Sequence, residues 1–246
     1  TVSECVDALK PGRVALILHS PSFKDAAQQI AAKLSIKCKP IPDFAQQRFA
    51  SRPLSSTGSQ SKRDRSHSAS VVVSRKDAFI VFTSGTTSSS KGVVLSHEAL
   101  YSQCGAKLFG LCGYSEQTRL LATTVPFFHV GGLSSLLAVW LAGGAWVLPK
   151  QTQSSSFDPA SVVQSLNVAN TLVVVPAMLF ALMMSQQESS NAKIFPTVQF
   201  VVIGGQSASE TVLNFCRIIF PKARLVQTYA CTEAASSLTF HDVTQT

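Results

Sequence analysis

A chain of 246 residues, 46% hydrophobic and 14% charged, can bury a substantial core, and its ordinary glycine and proline content excludes collagenous and low-complexity classes. The formal net charge of +8 is unevenly spread: residues 1–78 hold 13 Lys/Arg against 6 Asp/Glu, whereas residues 79–246 hold 8 against 7. A basic third without aromatic platforms or a nucleic-acid module reads as a solvated surface, which excludes nucleic acid as the expected partner.

Taken in chain order, Val14 to His19 predicts a short buried strand. Phe23 to Leu34 predicts a helix, with Phe23, Ala26, Ala27, Ile30, Ala31 and Leu34 at helical spacing. A second short strand is expected near Ile36 to Ile41. From about Arg52 to Ser70 the chain is rich in serine and charge, lacks the apolar content to order itself, and reads as a surface loop. Residues 1–78 are thus expected to form a partial α/β segment, and residues 79–246 the core that carries the chemistry.

Beyond Ala78 apolar strands alternate with helical stretches. The strands are expected at Ala78–Thr83, Leu120–Thr124, Ala145–Leu148, Thr171–Val175, Val198–Ile203 and Arg224–Thr228. Asp158-Pro159 supplies an N-cap and a first-turn proline. Ser207 with Glu210 predicts a capping box before the apolar face of Val212, Leu213, Cys216 and Ile219. Runs of valine and isoleucine between helices imply an α/β fold with a sheet covered on both faces. The longest apolar run, Gly131 to Leu148, is broken by Gly143 and Gly144 and reads as helix, turn and strand; no integral membrane segment is expected. Six cysteines without a CxxC pair, and five histidines at no ligand-like spacing to them, point to an intracellular, reducing compartment rather than structural zinc.

The most informative stretch is Phe82 to His97, FTSGTTSSSKGVVLSH. A strand runs into Thr83, Ser84, Thr86 and Thr87, which offer hydroxyls. Gly85 permits close backbone approach and Lys91 brings a positive charge. Such a loop suits a polyphosphate. It is not a Walker A loop: Ser90 stands where the second glycine belongs, Gly92 stands where a magnesium-binding hydroxyl belongs, and a strand is expected to follow Lys91 instead of a helix.

TSGTT…KGV followed by Ser-His resembles the signature loop of the adenylate-forming superfamily of acyl-CoA synthetases, luciferases and peptide-synthetase adenylation domains. Three further segments resemble its landmarks in the same order: Pro126 to Gly132 (PFFHVGG), Val202 to Ser209 (VIGGQSAS) and Gln227 to Ala234 (QTYACTEA). The resemblance implies the large N-terminal-domain portion of that fold, with ATP, Mg²⁺ and CoA as its small-molecule partners beside a carboxylic acid. It implies that Thr83, Ser84, Gly85, Thr86, Thr87 and Lys91 hold the β- and γ-phosphates. Tyr229 would lie against adenine, with Gly204, Gly205 and Gln206 beside it. Thr232 would bond the α-phosphate, and Glu233 and Thr87 would hold Mg²⁺. Lys91, Thr232 and Glu233 would be the catalytic residues, and Phe128, His129, Gly204 and Ala234 would approach the acid.

Taken singly, each of these residues has a plainer reading: Glu233 as a helix-start carboxylate, Tyr229 as an ordinary strand aromatic, His129 as a packed core histidine and Lys91 as a surface lysine. The chain also departs from the family pattern. Ser88 and Ser90 replace the usual Gly and Pro, and Ala230 replaces the usual glycine of YGxTE, a cost of about 1 kcal/mol if that position needs positive φ. The ribose-binding aspartate, the hinge and the C-terminal lid with its second lysine belong beyond Thr246. A chain without them is expected to bind nucleotide but not to complete the reaction. SSSKGVVLSH, HVGGLSS, VVVPAM and TEAASSLTF together resemble the plant and algal 2-succinylbenzoate:CoA ligases, which act in phylloquinone synthesis in plastids. A 4-coumarate- or fatty-acid-type ligase is the alternative, and a non-catalytic nucleotide-binding or interaction remnant the alternative of another class.

Overall fold

The structure is a computed structural model that describes residues 1–10, 14–41, 77–83, 91–122, 125–148, 157–187 and 193–245. The loop expected over residues 52–70, and Ser84, Gly85, Thr86 and Thr87, lie outside the described residues. Contacts divide the described residues into two units: one holds residues 1–10, 14–41 and 91–92, the other residues 77–83 and 93–245.

In the first unit, helix α1 (Val2–Leu9) is capped by the Thr1 side chain, which accepts from the Glu4 amide at 3.3 Å. Strands β1 (Leu16–His19) and β2 (Lys37–Pro40) pair in parallel, with Leu16 opposite Lys37. A 3-10 turn, Pro21–Phe23, leads into the crossover helix α2 (Lys24–Leu34), which buries Ala27 and Ala31 one turn apart and ends on left-handed Ser35. The burial expected for β1 is not found: Leu18 is 55% exposed and only His19 is buried. The physical reason is that this two-stranded sheet has a helix packed against it and no second covering layer among the described residues.

The second unit is built on a six-stranded sheet. Its strands are β5 (Arg119–Leu121), β6 (Ala145–Val147), β7 (Thr171–Val174), β8 (Phe200–Ile203), β9 (Arg224–Cys231) and β10 (Ser236–Asp242), in the order β10-β9-β8-β7-β5-β6. All neighbours are parallel except β10, which runs antiparallel to β9 with a register shift between Ser237 and Thr239. Successive side chains point to opposite faces, so each strand feeds two cores. Leu121, Leu172, Val174, Val201, Ile203 and Leu225 pack on one face against helices α5 (Pro159–Ser165), α6 (Pro176–Gln187) and α7 (Glu210–Ile219). Leu120, Val173, Phe200, Val202 and Val226 pack on the other against α3 (His97–Phe109) and α4 (Val130–Leu141). The expected α/β fold, with a sheet covered by helices on both faces, is therefore present.

Strands β3 (Asp77–Thr83) and β4 (Lys91–Ser96) form a separate pair, from which Val81 and Leu95 join Leu100, Val130 and Ala235 in a third core. A strand follows Lys91, as expected, and Ser96 then caps α3 by accepting from the Ala99 amide at 3.1 Å. The apolar run over 131–148 resolves into α4, a turn and β6, and no helix among the described residues is long and apolar enough to cross a membrane. Asp158 caps α5 as expected, accepting from the amides of Ala160 at 3.1 Å and Ser161 at 3.3 Å. The capping box at Ser207 and Glu210 is not formed. Helix α7 begins at Glu210, its cap is Ser209, whose hydroxyl accepts from the Val212 amide at 3.4 Å, and Glu210 instead pairs with Arg217 at 2.6 Å. The turn after β8 takes up Ser207 and leaves Ser209 at the first helical turn.

Candidate functional site

The order of strand connection reverses between the parallel neighbours β5 and β7. Beyond β5, the path through α4 leads to β6 on one side, while the path through α6 and α7 adds β8 and β9 on the other. In open α/β sheets ligands collect at the carboxyl ends of strands near such a reversal. Three of the sequence-predicted segments leave the sheet at that end: Phe128–His129 after β5, Gly204–Gly205 after β8, and Tyr229 on β9.

Strand β8 ends on fully buried Ile203, and the Gly204 amide still donates to Val174 O at 3.0 Å. A Cβ on Gly204 would stand 3.0 Å from Thr228 Cγ2, so the space this glycine leaves open is partly filled from the neighbouring strand. Gly205 has φ +82, a conformation that costs an L side chain roughly 1 kcal/mol or more, and a Cβ there would also meet Val175 Cγ1 at 3.3 Å.

Ile203 lies opposite Gln227, so Thr228, Tyr229 and Ala230 extend past the end of β8 and keep β10 as their strand partner. Thr228 Oγ1 donates to Thr239 O at 2.8 Å. The Tyr229 ring is 67% exposed, which for an aromatic on a strand leaves a face open to a ligand. A pocket of about 360 Å³ opens here, lined by Gly205, Gln206 and Tyr229, with Ser207, Thr239 and His241 completing its polar rim. A flat aromatic wall with amide, hydroxyl and imidazole groups around it suits a planar heteroaromatic ring with hydrogen-bonding edges. Ser207, Thr239 and His241 were not expected in this pocket from the sequence, although Ser207 and Thr239 fall inside the quoted VIGGQSAS and TEAASSLTF segments. Ser207 reads there as a helix cap, and the other two are supplied by a strand whose pairing only the fold reveals.

Directly after β9, Thr232, Glu233 and Ala234 form a 3-10 turn closed by the Ala235 amide, which donates to Thr232 O at 2.9 Å. Thr232 and Ala234 are half-buried and Glu233 is exposed. The turn is held from α3. Gln103 Nε2 donates to Ala234 O and to Ser237 O, both at 3.0 Å, and Gln103 Oε1 accepts from the Ser237 amide at 3.1 Å. At the opposite end of the β9–β10 pair, Arg224 Nε meets Asp242 Oδ2 at 2.6 Å. Hydrogen bonds from the Thr244 hydroxyl, then from Arg224, hold the Asp242 carboxyl down to about 2.

Phe128 is 72% exposed, and its ring tilts against that of His129 with centroids 4.7 Å apart. His129 precedes α4, where its carbonyl accepts from the Leu133 amide at 2.9 Å, and its imidazole is exposed rather than packed in the core. Thr83 closes β3 and Lys91 opens its partner β4, exposed. Among the described residues, no group of three or more His, Cys, Asp or Glu side chains could hold a metal ion. Glu233 offers a single exposed carboxylate, enough for Mg²⁺ where phosphate oxygens and water complete the shell.

The profile of the AMP-binding enzyme family matches residues 2–246. The chloroplastic/peroxisomal 2-succinylbenzoate–CoA ligase of Arabidopsis thaliana is 39% identical over 176 residues, which are 69% of this chain and 30% of that protein. The 4-coumarate–CoA ligase 1 of Petroselinum crispum is 25% identical over 245 residues, 97% of this chain and 42% of that protein. Among solved structures, the O-succinylbenzoate coenzyme A synthetase (MenE) from Bacillus subtilis in complex with ATP and magnesium ion superposes with a TM-score of 0.70 at 21% identity, covering 98% of this chain and 45% of that one. The chain thus spans less than half the length of each of these proteins.

Proposed function

The chain belongs to the AMP-binding enzyme family, and from that premise we propose that it is the nucleotide-binding part of an ATP-dependent acid:CoA ligase. The observation that carries the reading is the juxtaposition at the carboxyl ends of β8 and β9: an open tyrosine face, a glycine turn with positive φ beside it, and a Thr-Glu turn immediately downstream.

In this reading adenine lies on Tyr229, bordered by Gly204, Gly205 and Gln206. The Thr232 hydroxyl donates to the α-phosphate, and Glu233 with Thr87 supplies oxygen ligands to Mg²⁺, which neutralises phosphate charge when bound. Thr83, Ser84, Gly85, Thr86, Thr87 and Lys91 hold the β- and γ-phosphates. Phe128, His129, Gly204 and Ala234 face the acid. An oxygen of the acid's carboxylate attacks the α-phosphorus, the bond to the bridging oxygen breaks, and pyrophosphate leaves with the electron pair. The CoA thiolate then attacks the acyl carbon and AMP departs. No side-chain nucleophile is needed, because positioning and charge neutralisation supply the rate enhancement.

For the acid, 2-succinylbenzoate is favoured over 4-coumarate or a fatty acid. The support is the higher identity to the Arabidopsis ligase, 39% against 25% for the Petroselinum ligase, beside the small, half-buried side chain of Ala234. The product would then serve quinone synthesis, and the name of that relative favours an organellar location such as the plastid. The test is acid-dependent ATP–pyrophosphate exchange by the full-length protein with each of the three acids. Exchange with 2-succinylbenzoate, lost in Lys91→Ala and in Glu233→Ala, is the expected result. Exchange with none of the acids removes the ligase reading, and exchange with 4-coumarate alone replaces the substrate.

A further inference from the structure

The Thr232–Ala234 turn has no buried residue of its own, and the backbone after it is irregular. Ala235 has φ 59, Ser236 has φ 151, and the β9–β10 register shifts between Ser237 and Thr239. Among the described residues, strand β10 pairs with β9 alone. Yet Ala235, Ser236 and Ser237 are buried, and buried backbone groups need partners.

One side chain, 131 and 134 positions away in sequence, supplies those of Ser237 and reaches Ala234 as well. Both donors of the Gln103 amide are used, on Ala234 O and Ser237 O, and its oxygen accepts from the Ser237 amide and from Lys107 Nζ at 3.4 Å. Lys107 Nζ also reaches Ser236 Oγ at 3.5 Å. The orientation of the amide is fixed by this set. Exchanging its N and O would set an oxygen against two carbonyls and an NH₂ against an N–H. We infer that Gln103 is a positioning residue of the site: by clamping the Ala234–Ser237 backbone to α3, braced by Lys107, it fixes the turn that presents Thr232 and Glu233.

This inference rests on the roles proposed for Thr232 and Glu233, and its test separates the two. Gln103→Met keeps the length of the side chain and removes all four hydrogen bonds. Gln103→Glu keeps the size and turns the donor into an acceptor that repels both carbonyls. In the full-length protein, backbone amide hydrogen exchange over residues 232–237 is expected to speed up by about tenfold or more in both variants, with the amides of β7 and β8 unchanged. In acid-dependent pyrophosphate exchange, KM for MgATP should rise and kcat fall by about tenfold. Asp158→Ala, which loosens α5 on the other face of the sheet, serves as the purely structural comparator and should move neither readout. Wild-type hydrogen exchange over 232–237 in both Gln103 variants overturns the inference, as do kinetics no different from those of Asp158→Ala. A wild-type protein that exchanges pyrophosphate with no acid sinks the ligase reading instead, and the amide-exchange result still decides whether Gln103 holds the turn.

Discussion

Lys107 carries its ammonium group into the interior of the second unit: it is 2% exposed, beside Gln103, Ser236 and the Phe240 ring, whose centroid is 5.9 Å from Nζ. Burial lowers its pKa from 10.5 to about 8, against a weak upward push from Cys112 and Cys104. Between those two values the unfolded lysine keeps a proton that the native one has released, so its contribution to stability rises with pH. The buried thiols run the other way. Desolvation raises Cys112 from 9.0 to about 11, Cys216 to about 12, and Cys104 upward, so their contribution falls as pH rises through the same range. Lys107→Met should therefore lose stability more steeply than the wild type above about pH 8. Below that pH it should be the more stable protein, by at most about 3 kcal/mol less the lost hydrogen bonds. Urea-unfolding free energies across this range check it, and parallel profiles would contradict it. At the same scale, the glycine-to-alanine departure at Ala230 proves harmless to the backbone. Ala230 sits in β9 opposite Ser237 and does not have positive φ; the left-handed alanine is Ala235, in the turn that follows β9. The sequence pattern marks an unusual residue there, but only the pairing of β9 with β10 tells which alanine takes the special conformation.

Short elements at the sheet's edge depend on their ends. Helix α5 has seven residues and is fixed at its start by the two Asp158 hydrogen bonds and by Pro159. Asp158→Ala should cost about 1 kcal/mol of stability, measurable as a lowered urea midpoint at unchanged slope; no loss would show that packing of Val162 and Leu166 alone holds the helix. The signal for α5 was legible because Asp-Pro has one dominant structural meaning. The signal for α7 was misleading because serine recurs at 207 and 209, and either can cap; local chemistry cannot choose between them when the preceding turn has its own use for the first. Strand β10 left no mark as a strand. Its residues, SSLTFHD, are mostly polar, and the register shift breaks the alternation on which a strand is read. The places of Gln103, which bonds the start of that strand from α3, and of Thr239 and His241, which lie on it, were hidden for the same reason.

At the scale of the chain, the strand–helix alternation and the valine and isoleucine runs were enough to foretell an α/β fold with a sheet covered on both faces, because residues alternating between two cores must be apolar on both faces. The family was legible too: four motifs in order identify the same family whose profile matches residues 2–246. What the motifs could not foretell is the shape of the pocket at the ends of β8 and β9, where predicted Gly205, Gln206 and Tyr229 meet residues from β10. That pocket is the centre of the account. It is tested most directly by the affinity of the full-length protein for MgATP, measured by titration calorimetry, before and after Tyr229→Ala. Loss of one aromatic stacking contact is worth about 1–3 kcal/mol, so affinity should fall about fivefold or more while the thermal midpoint stays within a few degrees of the wild type. Wild-type affinity in Tyr229→Ala would place the nucleotide elsewhere and contradict the assignment of this pocket.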